Sequence, residues 1–181
     1  MITFFTFHPE HFNNNGDQGN LLVLEVEAKA AGAQLVSTTD LEGADFALFG
    51  DASRAAMRHY DEELDTLVPA LVARYERGDA TLVVGSCYER FAVELGIESK
   101  SMTRRSEFVS QDGFFGYRNT ELDLPIVTRN GNFVATSLFG PFLAKNPAFL
   151  GQLLEGLGVE AKLSPARLEM IAEIQRRSIG G

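Results

Sequence analysis

The sequence has one cysteine, no tryptophan and three histidines in 181 residues. A single cysteine cannot close an internal disulfide, and these few ligands form no pattern with the spacing of a zinc site. We expect no metal and no other cofactor. Basic residues are also scarce: 16 Lys and Arg face 25 Asp and Glu, a formal net charge of −9. Phosphate backbones and anionic membrane surfaces call for a basic face, so a nucleic-acid binder is disfavoured. No apolar run approaches the roughly 18 residues of a membrane span. The first ten residues, MITFFTFHPE, lack the basic region of a secretory signal. These absences predict a cytoplasmic protein with no nucleic-acid partner and no membrane span.

What is present is a chain that is 45% hydrophobic with fourteen phenylalanines. That composition can fill a phenylalanine-rich core, and the length predicts one domain over residues 1–181. Short apolar runs at Ile2–Phe7, Gln34–Ser37, Asp45–Phe49 and Thr81–Val84 read as buried strands. Between them lie helical patterns. One runs from Leu21 to Ala31 with Leu21, Leu24 and Ala28 inward and Asn20 or Asp17 as the cap. Another runs from Ser53 to Gly78, where Pro69 predicts a kink or a break. Residues 106–136 hold several short β-like runs, and Asn130-Gly131 signals a two-residue hairpin. Asn146-Pro147 and Ser164-Pro165 each read as a cap followed by proline in the first turn of a helix. The second of these helices is predicted to reach about Arg177, buried through Leu168, Ile171 and Ile174, with the terminal Ser178 to Gly181 frayed. Strands alternating with helices, followed by a β-rich segment, predict an α/β sandwich with a partly antiparallel extension.

The stretch TLVVGSCYERF, residues 81–91, is a strand, a sharp corner and a helix start. A residue at such a tip is exposed, and the first amides of the helix point at whatever it bonds. Two registers are open. Cys87 at the tip makes the corner Gly-Ser-Cys-Tyr-Glu and offers a thiol nucleophile. Gly85 at the tip follows directly on the strand and places Cys87 in the first helical turn. A thiol at work needs a base, and the candidates are His8 and His11 in the Asn-rich loop after the first strand, or His59.

Two longer motifs carry a family resemblance. FHPEHFNNNGDQGN, residues 7–20, resembles YPD-x-x-N-x-YGD-x-GN through Pro9, Asn13, Gly16, Asp17, Gly19 and Asn20. TSLFGPFLAKNP, residues 136–147, resembles TYLHGP-x-x-x-KNP. Between them GFFGYRNTE, residues 113–121, stands where GFENH is expected, with Asn119 on its Asn. These are motifs of class I glutamine amidotransferase-like domains of the cobyric acid synthase type. Within that family they are most similar to the small glutaminase subunit of lipid II isoglutaminyl synthase, which works with a Mur-ligase-like partner.

The resemblance implies a three-layer, flavodoxin-like amidotransferase fold with a mostly parallel central sheet and a partly antiparallel C-terminal extension. It also implies where chemistry should sit. The family's CGGYQ corner aligns with Gly85 to Glu89, so Gly85 takes the nucleophile position, and Phe139 takes that of the catalytic His. Residues 50–54, GDASR, replace a glycine-rich GGGQD loop, placing Asp51 where an oxyanion should be stabilised. The resemblance therefore implies a degenerate, non-catalytic glutamine amidotransferase-like subunit that binds or regulates a Mur-ligase-like amide-forming enzyme. Asn13, Asp17, Asn20, Asp51, Arg118 and Asn119 are its candidate contacts to a partner or to a small molecule in a remnant cleft. The alternative is an active glutaminase with Cys87 as nucleophile and His11 or His8 as base, supplying ammonia for amidation of a cell-wall precursor or cofactor.

Overall fold

The computed structural model describes residues 1–161 and 163–179. Strand β1 (Ile2–Thr6), helix α1 (Gly19–Ala30), β2 (Leu35–Ser37) and β3 (Phe46–Phe49) come first. They are followed by α2 (Arg54–His59), α3 (Asp61–Arg77), β4 (Thr81–Val84) and α4 (Ser86–Phe91). The β-rich segment contains β5 (Ser101–Gln111), β6 (Phe114–Leu122), β7 (Val127–Asn130), β8 (Phe133–Thr136) and β9 (Leu138–Phe139). Helices α5 (Phe142–Lys145), α6 (Pro147–Gly156) and α7 (Pro165–Ile179) close the chain.

The central sheet has the order β2-β1-β3-β4-β8-β7, parallel except for β7 at its edge. Its first five strands follow the doubly wound, flavodoxin-like order. Side chains alternate between the two faces. Phe5, Ala47, Phe49, Val83, Phe133 and Ala135 join one core with α3 and α4. Phe46, Leu48, Leu82, Val84 and Val134 join the other with α1, α5 and α6. The antiparallel part is more than an extension of this sheet. Strands β5, β6 and β9 form a second, separate sheet beside it.

Several sequence expectations meet tertiary context here. No break occurs at Pro69, which lies inside a continuous α3, and the chain breaks at Tyr60 instead. The predicted caps of α1 are absent, because Gln18 precedes the helix without a side-chain bond and Asn20 lies inside it. The β7–β8 hairpin forms, but its central pair is Gly131-Asn132, with only Gly131 at positive φ, the pattern of a type II′ turn. Asp112-Gly113, both at positive φ, makes the type I′ turn between β5 and β6.

Asn146 precedes α6 as expected but does not cap it. Its buried amide accepts from Phe115 N at 2.7 Å and donates to the Phe115 and Phe142 carbonyls. Ser164 does cap α7, accepting from Arg167 N. Of the three residues expected to bury that helix, only Ile171 does so, while Leu168 and Ile174 stay exposed. The helix reaches Ile179, so the expected frayed end begins no earlier, and Gly180 and Gly181 lie outside the described residues. Among the described residues no helix is long and apolar enough to cross a membrane.

Candidate functional site

In open α/β sheets the ligand crevice lies beyond the carboxyl ends of the strands, where the strand order reverses. Here the reversal falls between β1 and β3, and a cleft of about 250 Å³ opens at that place. The loop after β1 lines it with Asn14 and Asn15, and the loop after β3 with Asp51 and Ala52. Ser86 and Glu89 of α4 form its floor, and Tyr117, Asn119 and Thr120 of β6 form a wall.

The corner after β4 settles the open register. Gly85 is the tip, at φ 58° and ψ −118°, a conformation that L side chains rarely adopt. A Cβ added there would sit 2.5 Å from Asp51 Oδ1 and 2.6 Å from Phe139 Cε1. The space in front of the tip is therefore filled by a carboxylate and an aromatic ring. Asp51 Oδ1 accepts from Ser86 N, the first amide after the tip, at 2.9 Å. Its Oδ2 accepts from the side-chain amides of Asn14 (3.1 Å) and Asn15 (2.8 Å). Ser86 Oγ returns the link by accepting from Ala52 N. An anion thus already occupies the donors at this corner.

The long loop after β1 is held to serve this arrangement. Phe12 is fully buried, with its ring 4.7 Å from that of Phe7. The backbone passes so close to Gly50 that an added Cβ there would run into the Phe12 carbonyl. Asn14 N donates to Asp51 O, and Asp17 Oδ2 accepts from Asp51 N. Asp17 is wholly buried, and burial raises its carboxyl from the ordinary 3.8 to about 6, with the Asp51 charge adding and the Asp51 amide opposing. Its Oδ1 has no hydrogen-bond partner among the described residues.

Asp51, Asn119 and Phe139 therefore line the cleft, with Gly85 behind Asp51 and Phe139, and Asp17 bonded to the Asp51 amide. The other expected contacts lie elsewhere. Asn13 accepts from Gln18 N within its own loop. Asn20 is buried, donating to the Asp17 carbonyl and accepting from Leu143 N. Arg118 projects from the sheet to Glu107, which it meets through Nε and Nη2. Phe142 and Phe149, which follow Phe139 in the second motif, pack in the core.

The thiol of Cys87 is not in the cleft. It is fully buried within the apolar core under α3 and α4, and burial pushes its pKa well up, with Asp51 and Asp17 adding to the shift. The three histidines gather instead around Tyr60: His8 stacks on its ring at 4.1 Å, with His11 at 5.4 Å and His59 at 4.6 Å. His8 Nε2 lies 3.0 Å from Glu63, and the His11 ring is half exposed. The structure therefore brings no imidazole to the thiol, the pairing that the active reading requires. No group of three or more metal-ligating side chains occurs among the described residues.

Sequence reasoning missed Asn14, Asn15, Ser86 and Thr120. The density of Asn in the loop was the available signal, but only the folded loop decides which Asn turns inward. Glu89, raised in pKa chiefly by burial, accepts from Thr120 Oγ1 at 2.7 Å and so ties floor to wall. At the rim, Glu121 bridges Arg54 (3.4 Å) and Arg104 (3.3 Å). The corner presents neither a thiol nor an imidazole to the cleft, and the hydroxyl that lines it there, Ser86 Oγ, accepts from Ala52 N.

No family model matches this chain, and no curated protein matches it. Solved structures do. A glutamine amidotransferase from Thermotoga maritima is similar over 98% of this chain and 93% of its own, at 13% identity and a TM-score of 0.47. The protein SMU.1228c is similar over 97% of this chain and 99% of its own, at 12% identity and a TM-score of 0.46.

Proposed function

We propose that this chain is a glutamine amidotransferase-like subunit without glutaminase activity. In this reading it binds or regulates a Mur-ligase-like amide-forming enzyme and retains a cleft for a small polar molecule. The observation that carries the reading is the filled corner. Amide hydrolysis by this type of site takes a nucleophile at the tip, a base beside it and free donors for the oxyanion. Here the tip is Gly85, the base position is Phe139, and Asp51 takes up the Ser86 amide. A negative charge on that amide opposes the charge that acyl transfer must develop there. The motifs at residues 7–20 and 136–147 support the family and the ligase partner. A retained fold does not bring the activity with it when the site is altered.

The test is glutamate release from glutamine by the purified protein, alone and with any ligase that co-purifies, beside a Cys87→Ala variant. The expected result is no turnover in any sample. Turnover that disappears in the variant would overturn the reading and make Cys87 the nucleophile.

A further inference from the structure

Strand β5 is the edge of the second sheet, and nine of its eleven residues are exposed. A long exposed edge is a template for another strand unless something blocks it. Which of its backbone groups are free follows from β6. Phe115, opposite Ser110, donates its amide to Asn146 rather than across to β5. Bonded and non-bonded pairs alternate along an antiparallel ladder. The amides and carbonyls of Ser106, Phe108 and Ser110 therefore point to the open edge, where no hydrogen bond meets them among the described residues.

The side chains say which strand would fit. Arg105 is exposed and has no hydrogen bond or ion pair among the described residues, two positions from Glu107. Arg118 takes only Oε1 of Glu107, leaving Oε2 free. We infer that β5 pairs antiparallel with β5 of a second copy of this chain, about a two-fold axis at Ser106. In that register Ser106 faces Ser106 as a hydrogen-bonded pair. Arg105 faces Glu107 twice, at the closer, non-bonded pairs where side chains approach best. Placing the axis at Arg105 or Glu107 would set like charges on themselves, and placing it at Phe108 leaves both charges opposite uncharged residues. Ser106 is also the midpoint of β5, so this register gives the longest overlap. The irregular pairing between Ser101 and Arg105 concentrates the contact on the residues flanking the axis.

The pairing also reaches the cleft. Phe108, 48% exposed in the single chain, would lie against Arg104 of the second copy, the residue that Glu121 holds at the cleft rim.

Sedimentation of the native chain tests this at concentrations up to about 100 μM, where a complex of micromolar affinity forms. A dimer is expected, weakening as salt rises. Arg105→Glu sets Glu against Glu107 at both contacts and should weaken the dimer about tenfold or more. Ser106→Pro removes an amide with no backbone partner in the single chain, together with the exposed Ser106 Oγ–Asn119 bond, so it should abolish the dimer while the dilute protein stays folded and loses no more stability than one exposed hydrogen bond supplies. A native monomer throughout the range would overturn the inference, as would a dimer indifferent to both substitutions.

Discussion

Gly85→Ala adds one methyl group at the corner, and its cost follows from two geometric facts. The tip holds φ 58° and ψ −118°, where a residue with a Cβ pays roughly 1–3 kcal/mol. The new Cβ would also lie 2.5 Å from Asp51 Oδ1 and 2.6 Å from Phe139 Cε1. Relieving such crowding in a packed site costs about 1–3 kcal/mol more. Asp51 can withdraw only by giving up its bonds to Ser86 N, Asn14 and Asn15. We expect Gly85→Ala to lose roughly 2–6 kcal/mol of stability in urea denaturation. The double-mutant cycle with Asp51→Gly isolates the second contribution. With the carboxylate gone, the added methyl should cost about 0.5–3 kcal/mol less, while the backbone penalty remains. A Gly85→Ala cost within about 0.5 kcal/mol of zero, the range of ordinary surface substitutions, would refute the filled corner. A strictly additive cycle would refute the part assigned to Asp51.

Burial raises the Asp17 carboxyl from 3.8 to about 6, so the folded state holds that proton more tightly than the unfolded chain does. The resulting stabilisation is complete below pH 3.8 and is lost as pH rises through about 6. Asp17→Asn should flatten the fall in stability between pH 4 and 7 by up to about 3 kcal/mol, and an unchanged pH profile would contradict the assignment. Arg74 is fully buried and serves the Leu41, Ala44 and Ala80 carbonyls and the Thr81 hydroxyl. Arg74→Met should cost roughly 3–6 kcal/mol in the same denaturation assay, because several buried acceptors lose their donor at once; a loss under about 1 kcal/mol would show that water replaces it. Native Cys87 should react with a thiol reagent only on unfolding, since its side chain is fully buried; rapid labelling of the folded protein would place it in the cleft.

Much of the α/β architecture was legible in the chain itself. Runs such as Phe46–Phe49 and residues 82–84 are apolar throughout because helices cover both faces of a parallel sheet, and that signature is local. Glycine and proline carry local meaning too: Gly78 in the left-handed conformation ends α3, and Pro147 opens α6. The motif alignment placed Gly85 at the corner and Asp51 and Phe139 beside it. Asp112-Gly113 was an equally local hairpin signal that went unread.

Other features depended on where distant segments meet. Pro69 does not end the helix because propensity yields to packing over the seventeen residues of α3. Leu168 and Ile174 keep the helical spacing of a buried stripe, yet Ile171 is the one apolar side chain of α7 that is buried, and the helix is also held by Arg167 to Glu27 and by Gln175 to the Lys145 carbonyl. Asn13 matches a motif while its neighbours Asn14 and Asn15 reach Asp51, because the direction of a loop side chain is set by what the loop packs against. The sequence by itself determined the layers, the sheet order's parallel character and the absence of a side chain at residue 85. Only the tertiary structure decided that Asp51 and Phe139 fill that absence and that the thiol lies in the core. Residues 51, 85, 87 and 139 come from separate elements, and only the completed sheet fixes the distances between them.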